Sequence, residues 1–267
     1  MGMYLNPTNR MFQFMLHSEF YVDKTRLAVF MNNLLQRDGR FVCVSRPRRF
    51  GKSVDANMLV AYYSRGCDSR AQFQGLDVSY DPSYERHLNA HNVIKLDITQ
   101  FMPHADEPAR IGDAITRRVA RELERAFPTE LENGWDSLAD ALTLIEDATG
   151  EGFVFIVDEW DCVMREAADD RAAQRAYLDY LRDLFKGRSY VDAVYMTGIL
   201  PIKKYGAHSA LNIFTEYSMT DPKTLADLVG FTDAEVRRLC HRFDMDFDGV
   251  QRDLVADSRE LQMRALW

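Results

Sequence analysis

The sequence has no C-x-x-C pair, no apolar run long enough to cross a bilayer, no internal repeat and no low-complexity tract. Its four cysteines, Cys43, Cys67, Cys162 and Cys240, lie far apart, which excludes a close-spaced zinc or redox motif and predicts free thiols in a reduced, cytoplasmic setting. The longest uncharged apolar stretch, Ala193 to Ile202, is far short of the ~20 residues a membrane helix needs. Met1 to Leu16 lacks the basic start and apolar core of a secretory signal, and Asn6 stands where a myristoylation signal carries Ser or Thr, so no membrane association is expected. Basic residues are in deficit, 33 against 41 acidic, and the net charge of −8 opposes any broad grip on nucleic acid by this chain alone. A phosphate-bearing ligand must therefore be held by a local site.

What is present fits one α/β domain with a small appendage: 267 residues, 46% apolar, can bury a core without disulfide or metal staples. Short β-rich runs occur at 40–45, 92–97, 152–157 and 192–196. Helical spacing separates them over 52–64 and around 108–127, 136–148 and 168–186. Strands alternating with helices predict a mostly parallel sheet covered on both faces, a three-layer sandwich whose ligands sit beyond the carboxyl ends of the strands. Composition shifts near Thr220 to Pro222, which divides the chain into an expected main domain, 1–220, and a segment, 221–267, helical to about Phe243.

Directly after the first strand stands Arg46-Pro47-Arg48-Arg49-Phe50-Gly51-Lys52-Ser53. It matches the phosphate-binding loop G-x-x-x-x-G-K-[ST] except that Arg46 replaces the leading Gly. In such a loop, backbone N–H groups and the following helix N-terminus face phosphate oxygens, Lys52 reaches the terminal phosphates and the Ser53 hydroxyl ligates Mg²⁺. About a hundred residues later an apolar strand ends in Asp158-Glu159, which is what a Walker B element requires. Asp158 would hold the metal and Glu159 would polarise the attacking water. The next strand ends in Thr197-Gly198, and Thr197 is the candidate to contact the γ-phosphate or that water. Asp97, ending the second strand, reads more simply as a cap on its loop.

Four segments in order carry a family resemblance: Tyr21-Val-Asp-Lys-Thr25, the loop from Arg46 to Ser53, the strand ending Asp158-Glu159, and Thr197 to Gly206 followed by Glu216-Tyr-Ser-Met219. Over about residues 18–252 the chain resembles the predicted AAA-ATPase-like family of bacteria and archaea. The resemblance implies a P-loop ATPase fold with ATP and Mg²⁺ as ligands, and in this family an Arg usually occupies the first glycine position of the loop. Many members continue into a restriction-endonuclease-like nuclease domain. Here Asp253 to Trp267 departs from the family pattern, which is expected to reflect a truncation or frame change, and nuclease activity is not expected of this chain.

Ring-forming ATPases usually place an arginine after the sensor strand, yet no Arg occurs from Ser189 to Val236; Lys203 and Lys204 are the cations that follow the strand directly. A lysine lacks the planar fork that makes Arg effective on a transferring phosphoryl group, so a switch-like ATPase with a self-contained site is expected. Arg237 and Arg238 read as a solvated helix face and Trp160-Asp161 as packing beside the acidic pair. His87 and His91 have no companions to complete a zinc site. The leading expectation is a Mg²⁺-dependent, ATP-hydrolysing regulatory protein acting on an unknown protein or nucleic-acid effector. The alternatives are a nucleotide-gated binding module without useful hydrolysis, or the ATPase part of a nucleic-acid-processing protein.

Overall fold

The computed structural model describes residues 2–105, 107–202 and 211–249. Five strands, β1 Phe41–Ser45, β2 Asn92–Asp97, β3 Phe153–Asp158, β4 Val191–Gly198 and β5 Thr215–Ser218, form one sheet in the order β2-β3-β4-β1-β5. Every pairing is parallel. β1, β3 and β4 are buried along their whole length, which accounts for their reading as unbroken apolar runs rather than alternating ones. The fold class expected from the sequence is therefore the one observed, with a fully parallel sheet.

In chain order the helices are α1 Arg10–Leu16, α2 Arg26–Asn32, α3 Lys52–Tyr63, α4 Arg70–Phe73, α5 Tyr84–His87, α6 Ile111–Ala126, α7 Leu138–Thr149, α8 Cys162–Glu166, α9 Arg171–Phe185 and α10 Asp233–Arg242. Side chains on the two faces of the sheet sort into two apolar clusters. Val42, Val44, Val154, Ile156 and Tyr195 pack with α1, α2 and α3. Cys43, Phe153, Phe155, Val157, Val194 and Met196 pack with α6, α7, α8 and α9. The period-2 geometry of a strand makes this division, and it gives the three layers.

Two differences from the sequence expectation matter. β5 adds a fifth strand, and it pairs with β1 on the side away from β4. The segment after Thr220 is not helical throughout: a single 3-10 turn at Lys223–Leu225 precedes α10, whose start at Asp233 is fixed by a capping box in which Thr232 and Glu235 satisfy each other's backbone N–H. No helix among the described residues is long and apolar enough to cross a membrane.

Candidate functional site

The strand order places the carboxyl ends of β1, β4 and β3 side by side, so residues far apart in sequence meet at one edge of the sheet. From β1 the chain enters the loop Arg46–Ser53. Its turn depends on two left-handed residues, Arg49 at φ 68° and Gly51 at φ 78°. Gly51 supplies that conformation without strain just before α3 begins. Lys52, at the first position of α3, is 5% exposed, and its Nζ folds back to donate to the Pro47 carbonyl at 3.0 Å. Burial pushes its pKa down, while Glu159 leads the carboxylates that oppose the shift, followed by Asp158 and Asp161. Ser53 is exposed one residue later, and Arg48 and Arg49 are exposed on the loop.

Arg46 does something the motif does not suggest. Its side chain is 3% exposed, with Nη1 donating to the Tyr217 carbonyl at 2.8 Å and to its own neighbour Ser45 at 3.2 Å. Burial lowers its pKa. The guanidinium thus closes the tips of β1 and β5, a role that a glycine could not fill. Glu216 of β5 complements it from within the sheet, accepting from Ser45 Oγ at 2.7 Å and from the Ile202 N–H at 2.9 Å.

At the end of β3, Asp158 is buried and accepts a short hydrogen bond from the Thr197 hydroxyl at the end of β4. The next residue, Glu159, stands at φ 53°, a left-handed backbone that a non-glycine residue adopts only when its surroundings hold it there. Its carboxylate accepts from Arg165 Nη2 at 2.5 Å. Burial raises the Glu159 pKa, and Lys52 and Arg165 pull against it. Trp160 and Asp161 are both fully buried. Asp161 Oδ2 accepts from the N–H groups of Ile199 and Leu200 at 3.1 and 2.8 Å, and lies 3.2 Å from Arg165 Nε. Asp161 therefore fixes the chain as it leaves β4, beyond the packing expected of it. A Cβ on Gly198 would stand 2.5 Å from Trp160 Nε1, so glycine is required there by close approach.

The structure thus brings Lys52, Asp158, Glu159 and Thr197 together, with Arg165 as a fifth member that sequence reasoning missed. Asp97 caps its own loop, accepting from Thr99 N–H and Oγ1 and from Gln100. Lys203 and Lys204 lie outside the described residues. The hydroxyl of Ser53 and the carboxylate of Asp158 are hard oxygen donors of the kind Mg²⁺ prefers. No group of three or more His, Cys, Asp or Glu side chains converges among the described residues. His87 and His91 stack with Nδ1 and Nε2 3.0 Å apart, and no third ligand joins them among the described residues.

Beside the loop lies a cavity of about 150 Å³ with a mainly apolar lining that includes Phe20, Tyr21, Phe50, Gly51 and Phe231. Its walls join 50–55 to two segments far apart in sequence, 15–24 and 230–231. Lys24 ties them together, with Nζ 2.7 Å from Glu235 in the capping box of α10 and 2.8 Å from the Asp227 carbonyl. A larger cavity of about 600 Å³ between α6, α7 and α9 mixes Arg110, Arg117 and Arg121 with Asp113, Glu124 and Asp183, and includes none of the residues above. Its charges nearly cancel, so it offers no convergent chemistry.

A family model described as Predicted AAA-ATPase matches residues 10–207. Among curated proteins, the chain is 25% identical over 242 residues to an "Uncharacterized protein in vnfD 5'region" of Azotobacter chroococcum mcd 1, covering 88% of this chain and 43% of that protein. The chain therefore spans less than half the length of this relative. No solved structure matches the chain at a significant level.

Proposed function

Because the chain belongs to the predicted AAA-ATPase family, we propose that it binds ATP with Mg²⁺ at the edge formed by β1, β4 and β3 and hydrolyses it slowly, as a switch for an effector outside this chain. The observation that carries the reading is the meeting of Lys52 with Asp158, Glu159 and Thr197 from three separate stretches of sequence. In this reading the N–H groups at the start of α3 and the Lys52 ammonium hold the phosphates. Ser53 and Asp158 would hold Mg²⁺, which would supply neutralisation of phosphate charge. Thr197 holds the Asp158 carboxylate in place through its hydrogen bond, and Glu159 takes a proton from the attacking water. The apolar cavity beside Gly51 suits the purine base, with Phe20, Tyr21 and Phe231 as its walls.

Lys52→Ala should abolish detectable Mg-ATP binding in a calorimetric titration while leaving the thermal melting temperature near that of the parent. Equal affinity in the two proteins would place the nucleotide elsewhere and end this reading.

A further inference from the structure

We propose that Arg165 is the arginine of this site: a group from the same chain that Glu159 holds in the structure and that transfers to the γ-phosphate oxygens of ATP, freeing Glu159 to activate water. The proposal rests on the ATP reading above and adds a residue and a control step to it.

Three observations carry it. The first is the pair itself, Arg165 Nη2 to Glu159 Oε2 at 2.5 Å, with the two side chains only 19% and 22% exposed. A guanidinium at that distance occupies Oε2 and lowers the basicity that burial gives the Glu159 carboxylate. Glu159 becomes a stronger base for water once Arg165 finds another anion. The second is the position of the pair. Arg165 lowers the Lys52 pKa while Glu159 raises it, so the guanidinium, the carboxylate and the ammonium share one electrostatic field. A phosphate drawn to Lys52 arrives within that field, and the planar guanidinium fork matches phosphate oxygens as well as it matches a carboxylate. The third is the anchor. Arg165 Nε stays 3.2 Å from Asp161, four residues earlier on the same helical turn, so Nη2 can change partners while the base of the guanidinium remains paired. Asp161 is fixed in turn by Ile199 and Leu200, which links the position of Arg165 to the segment leaving β4.

The exchange supplies what the sequence from Ser189 to Val236 does not, a planar cation for the transition state. In the hydrolytic step, the water oxygen forms a bond to the γ-phosphorus as the bond from that phosphorus to the bridging β-phosphate oxygen breaks. The water proton passes to Glu159 and then to solvent. The products are ADP and inorganic phosphate. Arg165 donates hydrogen bonds to the γ-oxygens throughout and loses no proton.

The test uses the described protein with four variants, Arg165→Ala, Arg165→Lys, Glu159→Gln and the Glu159→Gln/Arg165→Ala double, titrated with Mg-ATP and with Mg-ADP. Glu159→Gln weakens the grip on Arg165, so it should tighten Mg-ATP and leave Mg-ADP unchanged. Adding Arg165→Ala to it should then cost ATP about tenfold or more and ADP little, the loss of a charge-assisted hydrogen bond to a phosphate that only ATP carries. A merely structural arginine would shift both nucleotides together. In single-turnover assays Arg165→Ala should slow hydrolysis by about 10³ or more. Arg165→Lys, which keeps the charge beside Asp161 and guards against misfolding, should lose the ATP-over-ADP preference too. Mixing Arg165→Ala with Lys52→Ala protein should restore nothing, because each site uses its own arginine. An unchanged ATP-to-ADP ratio on removing Arg165 from the Glu159→Gln background, faster hydrolysis by Arg165→Ala, or rescue on mixing would each overturn the proposal while leaving ATP binding intact. Failure of the parent to bind either nucleotide would instead remove the ATP reading and this one with it.

Discussion

Replacing Gly198 by Ala adds one methyl group at the most crowded point of the site. The new Cβ would stand 2.5 Å from Trp160 Nε1, 2.6 Å from Trp160 Cδ1 and 2.9 Å from Asp161 Oδ1, against an ordinary heavy-atom separation of ~3.5–4.0 Å. Trp160 and Asp161 are fully buried, so neither can swing into solvent to make room. Overpacking of this kind costs about 1–3 kcal/mol. Gly198 is not at positive φ, so alanine fits the backbone and recovers about 0.4–1 kcal/mol by restricting the unfolded chain. The net loss is roughly 0–2.6 kcal/mol, a fall of up to about 10 °C in melting temperature for a protein of this size. Asp161 holds the N–H groups of Ile199 and Leu200, so the same shift should disturb the exit of β4 beside Thr197 and lower kcat for ATP more than it raises KM. Thermal melts followed by circular dichroism and steady-state phosphate release measure both. A melting temperature and a kcat equal to the parent's would show that Trp160 and Asp161 yield freely, and the close-packing argument would be wrong.

Two further outcomes follow from the same geometry. Glu159→Gln should retain Mg-ATP binding and slow hydrolysis by ~10² or more, the usual contribution of a general base; phosphate release at the parental rate would remove Glu159 from that role. Glu235 lies 2.7 Å from Lys24; burial alone would raise its pKa, but hydrogen bonds from Lys24 and the Thr232 N–H outweigh this and hold it below the usual 4.5. A depressed carboxylate pKa stabilises the fold above the unfolded value and loses that contribution as pH falls through the folded one. Melting temperature should therefore fall more steeply below about pH 4.5 in the parent than in Glu235→Gln; parallel profiles would refute the coupling.

Four strands and the main helices were legible because a buried parallel strand writes itself as an apolar run, as in Phe153 to Val157. β5 was not legible, because Thr215-Glu-Tyr-Ser218 is short and polar and its buried glutamate serves the tip of β1 rather than the core. The start of α10 was available in Thr232-x-x-Glu235, a capping-box spacing that composition alone obscured. The acidic pair and the loop could be read from motif and order, whereas the ion pair of Arg165 with Glu159 could not, because it depends on the turn that follows β3. The signal for Arg165 itself was the Asp161–Arg165 spacing of four residues in the helix that follows the acidic pair. The left-handed turn at Glu159 has no sequence mark at all, since Asp-Glu-Trp contains no glycine to announce it.

The place of β1 in the sheet has a consequence for how the protein is made. Its two neighbours are β4 and β5, which begin at Val191 and Thr215, so when β1 leaves the ribosome neither partner yet exists. At elongation rates of about 5–20 residues per second, the interval from Ser45 to Val191 lasts roughly 7–30 s. During it Phe41-Val-Cys-Val-Ser45 has two open edges and no charge of its own, the profile of a segment that pairs with another chain. The three arginines that follow at once, Arg46, Arg48 and Arg49, sit where flanking charge discourages such pairing. The loop that reads as a phosphate cradle in the finished protein would thus serve the nascent chain as a guard on its own strand.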